Sequence, residues 1–384
     1  MSSVHRAGTI KEQIYSNNGK QTRDLQRGVP HATTIDSNPI PFTLVFILLN
    51  MLRQRNSDSD SSTSSISNGS PTNSSPIACD SAKEEFARKV FCARRAFVTV
   101  QFGGAYIEKL ILTTKQRLAN GFPTIVDGKV HLEPTEFQMG RMMVYTKRDF
   151  RRTCLRCNQN FKVSRDGIQP LSSAPVCSDG EKLLHFHVHD QLALETVRDF
   201  KFAPKVNKIN AHTSNELFGL DVEMVFTARG QSVGRVTLVS HTEAVLLDVL
   251  VQQTDDVFDP VTRYSGLTHE RLARATWTLD QARRAVLNEI NEKSVLVGHG
   301  LNSDLKALGI IHNRVIDTSV IYTNAGRRPS LRHLTEHLLG YKIQQNSSGH
   351  CSVEDAVAAV RLVIHGVNVP RFLAPEYQNL HMNI

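Results

Sequence analysis

The chain has 384 residues, enough for two or three domains of ordinary size. A formal net charge of +8 and a pI of about 9.2 favour anionic partners such as nucleic acid or acidic lipid. Six unevenly spaced cysteines exclude the framework of a small disulfide-rich secreted protein, so we expect a reducing, intracellular compartment.

The first 80 residues are predicted to be a disordered, Ser-rich linker. Residues 57–76 consist mostly of Ser, Thr, Asn and Asp, which cannot bury enough apolar surface to offset the entropy of ordering. Residues 1–30 lack the apolar core of a secretory signal. The apolar run 42–52 is too short to cross a bilayer as a helix, so we assign it no function and predict no membrane association.

Residues 81–215 are predicted to form a basic, partly helical accessory region. Apolar residues recur at helical spacing from Lys83 and again from Tyr106 to Leu118, where Asn120 and Gly121 end the pattern. Between positions 141 and 166 there are eight basic residues and two acidic ones. This segment is either a solvated charged surface or a binding surface for a phosphate backbone, in which case Arg151 and Arg152 are candidate contacts.

A Cys/His pattern lies inside the same basic segment. Cys154 and Cys157 form a C-x-x-C pair, followed by Cys177 and then by His185, His187 and His189, of which His185 is taken as the fourth candidate ligand. This spacing suits one half of a tetrahedral zinc site, whereas the second half is irregular. Two interpretations remain open, a zinc ribbon or knuckle with these four ligands and a degenerate knuckle with ordinary free thiols.

The apolar stretch from Leu217 to Phe226 carries two acidic residues, Asp221 and Glu223. In a β-strand, residues two apart point to the same face, so these carboxylates are expected side by side. Neighbouring like charges are costly to bury without a cation, and carboxylate oxygens suit a hard divalent metal. The alternative is an edge strand with two solvated acids.

The rest of the C-terminal half reads as an α/β sheet. Strands are predicted at 217–225, 235–240, 244–251 and 295–297, and helices at 279–291 and 353–364. Asp304 follows the strand at 295–297, at the sheet edge where ligands bind in open α/β folds. Asp355 opens the last helix, and His350 precedes it in a loop. Taken singly, Asp304 reads as a helix cap, and Ser352 with Asp355 as a capping box.

The ordered set is more specific than any of its members. Four carboxylates, on Asp221, Glu223, Asp304 and Asp355, can hold two Mg²⁺ or Mn²⁺ ions for in-line phosphodiester hydrolysis. His350 has the side-chain type that can accept a proton from the attacking water near neutral pH. The set therefore predicts hydrolysis of a nucleic-acid backbone.

Residues 216–366 resemble the DEDDh 3′–5′ exonucleases of the RNase T/DnaQ-like superfamily, and within them the Rex-type RNA exonucleases. The motifs that carry the resemblance are LDVEMV at 220–225, YSGLTHERL at 264–272, LVGHGLNSDLKAL at 296–308, IDTS at 316–319, PSLRHLTEHLLG at 329–340 and HCSVEDAVAA at 350–359. More loosely, the region around Tyr106 and the C-x-x-C resembles the segment that precedes the exonuclease in animal Rex-type proteins.

The resemblance implies an RNase H-like mixed β-sheet flanked by helices over residues 216–368, with 369–384 as a C-terminal tail. It assigns the metal-binding acids to Asp221, Glu223, Asp304 and Asp355 and the general base to His350, with Met224 and His299 as candidate substrate contacts. The implied activity is metal-dependent 3′–5′ hydrolysis of single-stranded RNA ends, in the nucleus or nucleolus. The alternatives are a catalytically silent nucleic-acid-binding protein and a DNA 3′–5′ exonuclease.

Overall fold

A computed structural model of the chain describes residues 103–132, 143–179, 182–345 and 349–378. The predictions for residues 1–80, for the run 42–52, for the helix beginning near Lys83 and for the end of the C-terminal tail lie outside these ranges.

The accessory region is built from short elements. They are α1 (Gly103–Leu110), α2 (Thr114–Ala119), β1 (Thr124–Val126), β2 (Lys129–His131), β3 (Val144–Tyr145), β4 (Arg151–Thr153), β5 (Asn160–Lys162), β6 (Cys177–Asp179), β7 (Lys182–Leu184), β8 (Leu192–Ala193), α3 (Leu194–Arg198) and β9 (Lys201–Phe202). Three antiparallel hairpins, β1–β2, β4–β5 and β6–β7, supply most of the strands.

The prediction of one helix over 106–118 was wrong, because the structure has two. Thr113 restarts the helix with a capping box, in which its hydroxyl accepts the Gln116 N–H at 3.2 Å and the Gln116 side chain accepts the Thr113 N–H at 2.9 Å. The predicted end is confirmed, since Asn120 caps α2 and Gly121 takes the left-handed conformation.

The C-terminal part forms the main sheet and its helices. The elements are β10 (Leu217–Thr227), β11 (Gly230–Ser240), β12 (Val245–Leu250), β13 (Val257–Asp259), α4 (Thr262–Ser265), α5 (His269–Ala273), α6 (Leu279–Glu289), β14 (Val295–Gly298), α7 (Leu301–Leu308), β15 (Ile310–Ile311), β16 (Val315–Asp317), α8 (Thr318–Ile321), α9 (Leu331–Leu334), which continues as a π-helical turn (Thr335–Leu339), and α10 (Ser352–Asn368).

The sheet is mixed, with strand order β12-β11-β10-β14-β16. β10, β11 and β12 pair antiparallel, whereas β14 and β16 run parallel to β10, and β13 joins the end of β10. Helix α10 packs on this sheet through its apolar face, in which Ala356, Ala359 and Val360 are fully buried. This confirms the predicted RNase H-like mixed sheet flanked by helices.

Helix α10 lies unusually close to β10 because Gly219 has no side chain. A Cβ at Gly219 would stand 2.7 Å from the Ala356 carbonyl oxygen and 2.8 Å from the Val360 side chain. Such distances are below van der Waals contact, so only glycine permits this approach. The consequence is functional, because α10 and β10 carry acids of the candidate site.

The accessory region shares the core of the C-terminal part. Tyr106, Leu110, Leu112 and Phe122 belong to the same buried apolar cluster as the sheet. β9 pairs parallel with β15, and the Lys306 ammonium lies 2.8 Å from the Asp190 carboxylate in an ion pair buried on both sides. The domain boundary at residue 216 stays a prediction, and the packing is continuous across it. Among the described residues, no helix has the length and apolar character needed to cross a bilayer.

Candidate active site

Strand β10 holds the first two acids in the predicted arrangement. Leu220 and Val222 are buried on one face of the strand, and the half-buried Asp221 and Glu223 stand on the other. A β-bulge follows Glu223, after which the half-buried Met224 packs against the main core. Bulges of this kind redirect side chains beside functional sites.

Asp304 joins these acids from the first turn of α7, where its side chain is buried. The capping interpretation of Asp304 is wrong, because Asp317 at the end of β16 does this work. The Asp317 carboxylate accepts the backbone N–H of Gly300 at 3.1 Å and that of Leu301 at 2.9 Å. Asp304 is therefore left to the acidic cluster.

Asp355 reaches the cluster from the first turn of α10 and is 5% exposed. One of its oxygens, Oδ2, accepts the Gln344 side-chain N–H at 2.9 Å. The other, Oδ1, is buried and has no hydrogen-bond partner among the described residues. A buried carboxylate oxygen without a partner is costly in a protein and well suited to a metal ligand.

Ser352 has a different role from the one predicted. Cys351 occupies the N-cap position of α10, and the helix begins at Ser352, so the capping-box prediction was wrong. The Ser352 hydroxyl instead donates to Asp221 Oδ2 at 2.7 Å. This bond fixes the orientation of the Asp221 carboxylate and ties α10 to β10.

His350 lies at the edge of the acidic cluster. Its Nδ1 is 3.5 Å from Asp355 Oδ2, and its ring packs edge-on against Tyr264. Its backbone N–H donates to the Tyr264 carbonyl at 3.0 Å. The preceding Gly349 has φ +110°, and a Cβ there would lie 2.3 Å from Gly266, so this close backbone contact holds the His350 loop in place.

Burial and mutual repulsion raise the pKa values of the clustered carboxyl groups. Burial, followed by the charge of Asp355, raises the pKa of Asp221 to about 7. Burial, followed by the charge of Asp221, raises the pKa of Glu223 to about 9, and the pKa of Asp304 is raised for the same two reasons. Such a cluster is stabilised by a cation that takes the place of the bound protons.

Sequence reasoning missed the arginine nearest the acids. Arg235 on β11 is the register partner of Glu223 and is buried. Its guanidinium forms a bidentate pair with Asp248, with both N–O distances at 2.7 Å. Although Arg235 is paired with Asp248, its charge still acts to lower the pKa values of Asp221 and Glu223, but burial and the neighbouring carboxylates outweigh it. An isolated arginine in an apolar strand gives no sequence signal for this position.

The remaining predicted substrate contacts divide into three cases. His299 follows β14, and its Nδ1 bonds the Thr318 hydroxyl at 2.9 Å, with its pKa lowered by burial. Arg151 is exposed on β4. The Arg152 prediction was wrong, because this side chain is 2% exposed, its guanidinium lies 3.2 Å from the Tyr145 ring centre, and it donates to the Asp149 carbonyl at 2.7 Å.

A second constellation forms in the accessory region from Cys154, Cys157, Cys177 and His187. Their candidate ligand atoms all lie within 4.8 Å of one another, with Cys154 Sγ 3.6 Å from Cys177 Sγ and Cys157 Sγ 3.4 Å from His187 Nδ1. Zn–S and Zn–N bonds of about 2.3 and 2.0 Å at tetrahedral angles give ligand separations of about 3.5–3.8 Å. The separations of 3.6 and 3.4 Å are close to these values.

The prediction of His185 as the fourth ligand was wrong. The chain bends at His185 and Phe186, directly after β7, and the His185 ring turns to the Ser172 carbonyl at 3.1 Å. The same bend brings His187 to the thiols, stacked on Phe161.

Ionisation of one thiol in this cluster disfavours ionisation of its neighbours, and a bound metal ion would relieve this repulsion. Burial, followed by Cys154 and Cys157, raises the pKa of Cys177 to about 12. Burial acts to raise the pKa of Cys154 as well, but hydrogen bonds from backbone N–H groups, including that of Arg156 at 3.4 Å, leave it lowered. A bound cation would allow all three to ionise.

No protein-family model matches the chain. RNA exonuclease 1 homolog of Homo sapiens is 30% identical over 293 residues, which are 67% of this chain and 23% of that protein. RNA exonuclease 3 of Eremothecium gossypii is 37% identical over 194 residues, 50% of each protein. The chain thus spans half or less of the length of these relatives. The solved Pan2 pseudoubiquitin hydrolase–RNA exonuclease module of Saccharomyces cerevisiae matches with TM-score 0.39 and 27% identity, over 44% of this chain and 30% of that one.

Proposed function

We propose a function for this chain from one premise, which is that it belongs to the DEDD-type exonucleases of the RNase T/DnaQ-like superfamily. On that premise it is a metal-dependent exoribonuclease that hydrolyses phosphodiester bonds from the 3′ ends of single-stranded RNA. Relatives that carry the name RNA exonuclease support RNA as the substrate class.

One observation carries the proposal: four carboxylates converge, and one buried oxygen among them, Asp355 Oδ1, has no partner among the described residues. Asp221, Glu223, Asp304 and Asp355 are an all-oxygen donor set, which fits Mg²⁺ or Mn²⁺ better than zinc. The raised pKa values of Asp221 and Glu223 support the same assignment, because they are the signature of acids that need a counter-ion.

The chain's own residues then divide the chemistry among them. Two bound divalent ions would supply water activation and charge stabilisation at the leaving oxygen. Asp221, Glu223, Asp304 and Asp355 would hold these ions, and Ser352 keeps the Asp221 carboxylate oriented through the 2.7 Å hydrogen bond. His350, half exposed at the rim and beside Asp355, accepts the proton of the attacking water and passes it to solvent.

The direct test is digestion of a 5′-labelled single-stranded RNA with Mg²⁺ or EDTA. We expect a ladder that shortens from the 3′ end with Mg²⁺ only, and its loss in Asp221→Asn and Asp304→Asn. Asp256→Asn is the matched control, since Asp256 is an exposed carboxylate in the loop before β13. A metal-independent ladder, or full turnover in Asp221→Asn, would overturn the proposed site.

The same assay separates the alternatives. A matched DNA oligomer that is degraded faster than the RNA would replace the substrate class. RNA binding with no digestion by the wild type would favour a catalytically silent binding protein.

We propose a second, structural metal in the accessory region. Cys154, Cys157, Cys177 and His187 would hold one zinc ion between the β4–β5 turn and the segment after β7. A closed set of three thiolates and one imidazole leaves no open position, which is typical of structural zinc. The zinc ion would stabilise the hairpins of the accessory region, which has little apolar core of its own.

A further inference from the structure

The hairpin β4–β5 presents two cations directly opposite each other. Arg151 and Lys162 are register partners across the hairpin, and both are exposed. Like charges at this position destabilise an antiparallel pair. Among the described residues, neither side chain forms an ion pair with an acid, so the structure itself does not offset this repulsion.

These cations belong to one surface pocket of about 510 Å³, formed by Arg148, Asp149, Phe150, Arg151 and Lys162. Asp149, the acid among them, already forms hydrogen bonds within its own turn: its Oδ2 accepts the Thr146 N–H at 2.7 Å and the Thr146 hydroxyl at 2.8 Å. These hydrogen bonds lower the pKa of Asp149. The pocket therefore carries three cations and one acid, Asp149, whose carboxylate is bound to Thr146 in the preceding turn.

Phe150 gives the pocket an apolar, flat surface. Its side chain is 43% exposed although it directly precedes β4, and its carbonyl accepts the Val163 N–H at 2.9 Å, which extends the hairpin pairing. An exposed phenylalanine beside unpaired cations is the composition of surfaces that bind single-stranded nucleic acid, where bases stack on rings and phosphates meet Lys or Arg.

Buried contacts beneath the hairpin hold the pocket in place. Arg152, between Phe150 and the turn, is buried against Tyr145 and bonds the Asp149 and Arg151 carbonyls. The Cys154 and Cys157 thiols lie in the turn that joins β4 to β5. A surface fixed in this way loses little entropy when a ligand binds.

We propose that this pocket, which we call the Phe150 surface (Arg148, Phe150, Arg151 and Lys162), is a second RNA-binding site that holds the single-stranded segment upstream of the 3′ end. A phosphate lies between Arg151 and Lys162, and a base stacks on Phe150. This inference rests on the proposed function for the identity of the substrate. It is built from elements other than those that carry the four acids, so its contribution depends on RNA length.

The two kinds of contact leave different signatures in binding. The experiment uses the full chain with Asp221→Asn, without added Mg²⁺, and fluorescence anisotropy of a 5′-labelled 20-nucleotide RNA at several salt concentrations. Arg151→Gln/Lys162→Gln should flatten the slope of log K against log salt by about 0.7, the value for one lost phosphate contact on a single strand. Phe150→Ala should weaken binding about tenfold with the slope preserved, because stacking releases no counterions.

Lys208→Gln is the matched control, since Lys208 is an exposed lysine in the loop after β9. An equal slope change in Lys208→Gln, or wild-type affinity in both Phe150 surface variants, would overturn the proposal. Zinc content and Tm measured for each variant exclude unfolding of the hairpin as the cause of a loss.

Cleavage separates this proposal from the proposed function. With the Asp221-containing enzyme and Mg²⁺, the variants should raise KM on the 20-nucleotide RNA, and the defect should vanish on a dinucleotide. An equal defect on both lengths would place these residues at the active site and overturn the second site. If the wild type cleaves nothing but the anisotropy signatures appear, the nuclease proposal fails while the Phe150 surface stands.

Discussion

Replacing Asp221 by Asn should inactivate the enzyme and stabilise its metal-free fold. The pKa of Asp221 is raised from 3.8 to about 7 by burial and by Asp355. A carboxyl whose pKa is higher in the folded state contributes stability that is present below the unfolded pKa and is lost as the pH rises through the folded pKa. Asn keeps an oxygen that can accept the Ser352 hydroxyl but never has to ionise.

The magnitude follows from the size of the shift. With both pKa values taken for one independent site, the variant gains about 2 kcal/mol over the wild type at pH 5 and about 4 kcal/mol at pH 8. Water reaches the half-buried carboxylate and the neighbouring acids share protons, so these figures are upper limits. The difference in unfolding free energy should therefore grow between pH 4 and pH 8.

Urea unfolding without added divalent metal at pH 5 and pH 8, wild type beside Asp221→Asn, measures this difference. Added Mg²⁺ should then reverse the order, because a cation that binds only the folded wild type stabilises it by mass action. A difference in unfolding free energy that does not change with pH, or equal stabilisation of both proteins by Mg²⁺, would refute the electrostatic account of the site.

Three further predictions test other parts of the structure. His350→Gln should lower kcat by about 10²–10⁴-fold while the Mg²⁺-induced rise in Tm remains; an unchanged kcat would remove His350 as the base. His187→Ala should lose the bound zinc, measured by elemental analysis, whereas His185→Ala should keep it; the opposite pattern would reject the fourth ligand. Asp190→Asn should lower the free energy of urea unfolding by about 3 kcal/mol by leaving the Lys306 ammonium buried and unpaired, and Asp190→Leu with Lys306→Met should recover most of it. Failure of that pair to recover would assign the loss to packing.

The acidic residues could be predicted because each one follows a short-range rule. Asp221 and Glu223 share a face through the two-residue period of a strand, and Asp304 and Asp355 open helices after recognisable strand and loop signals. The mixed sheet followed from the closely spaced strands and the later alternation of strand and helix. Local periodicity, which is encoded residue by residue, was sufficient for these features.

The features that sequence reasoning missed depend on long-range geometry. Ser352 is a good cap by local rules, yet its hydroxyl is drawn to Asp221, which lies 131 positions earlier. Asp317, not Asp304, caps α7 across 16 residues. Arg152 is the same residue type as its exposed neighbour Arg151 and lies in the same basic segment. Its burial is explained only by its packing against the Tyr145 ring. A bend of two residues decides between His185 and His187.

The seam between the accessory region and the sheet has a consequence for synthesis. Asp190 and strand β9 emerge from the ribosome more than 100 residues before their partners, Lys306 and β15. Chains are made from the N-terminus, so Asp190 and the edge of β9 lack these two partners until most of the main sheet has been synthesised. A zinc ion bound early by the cysteines would protect the nascent hairpins during that interval. Asp355 is among the last residues of the sheet region to be synthesised, so the four acids can come together only after the rest of the main sheet has appeared.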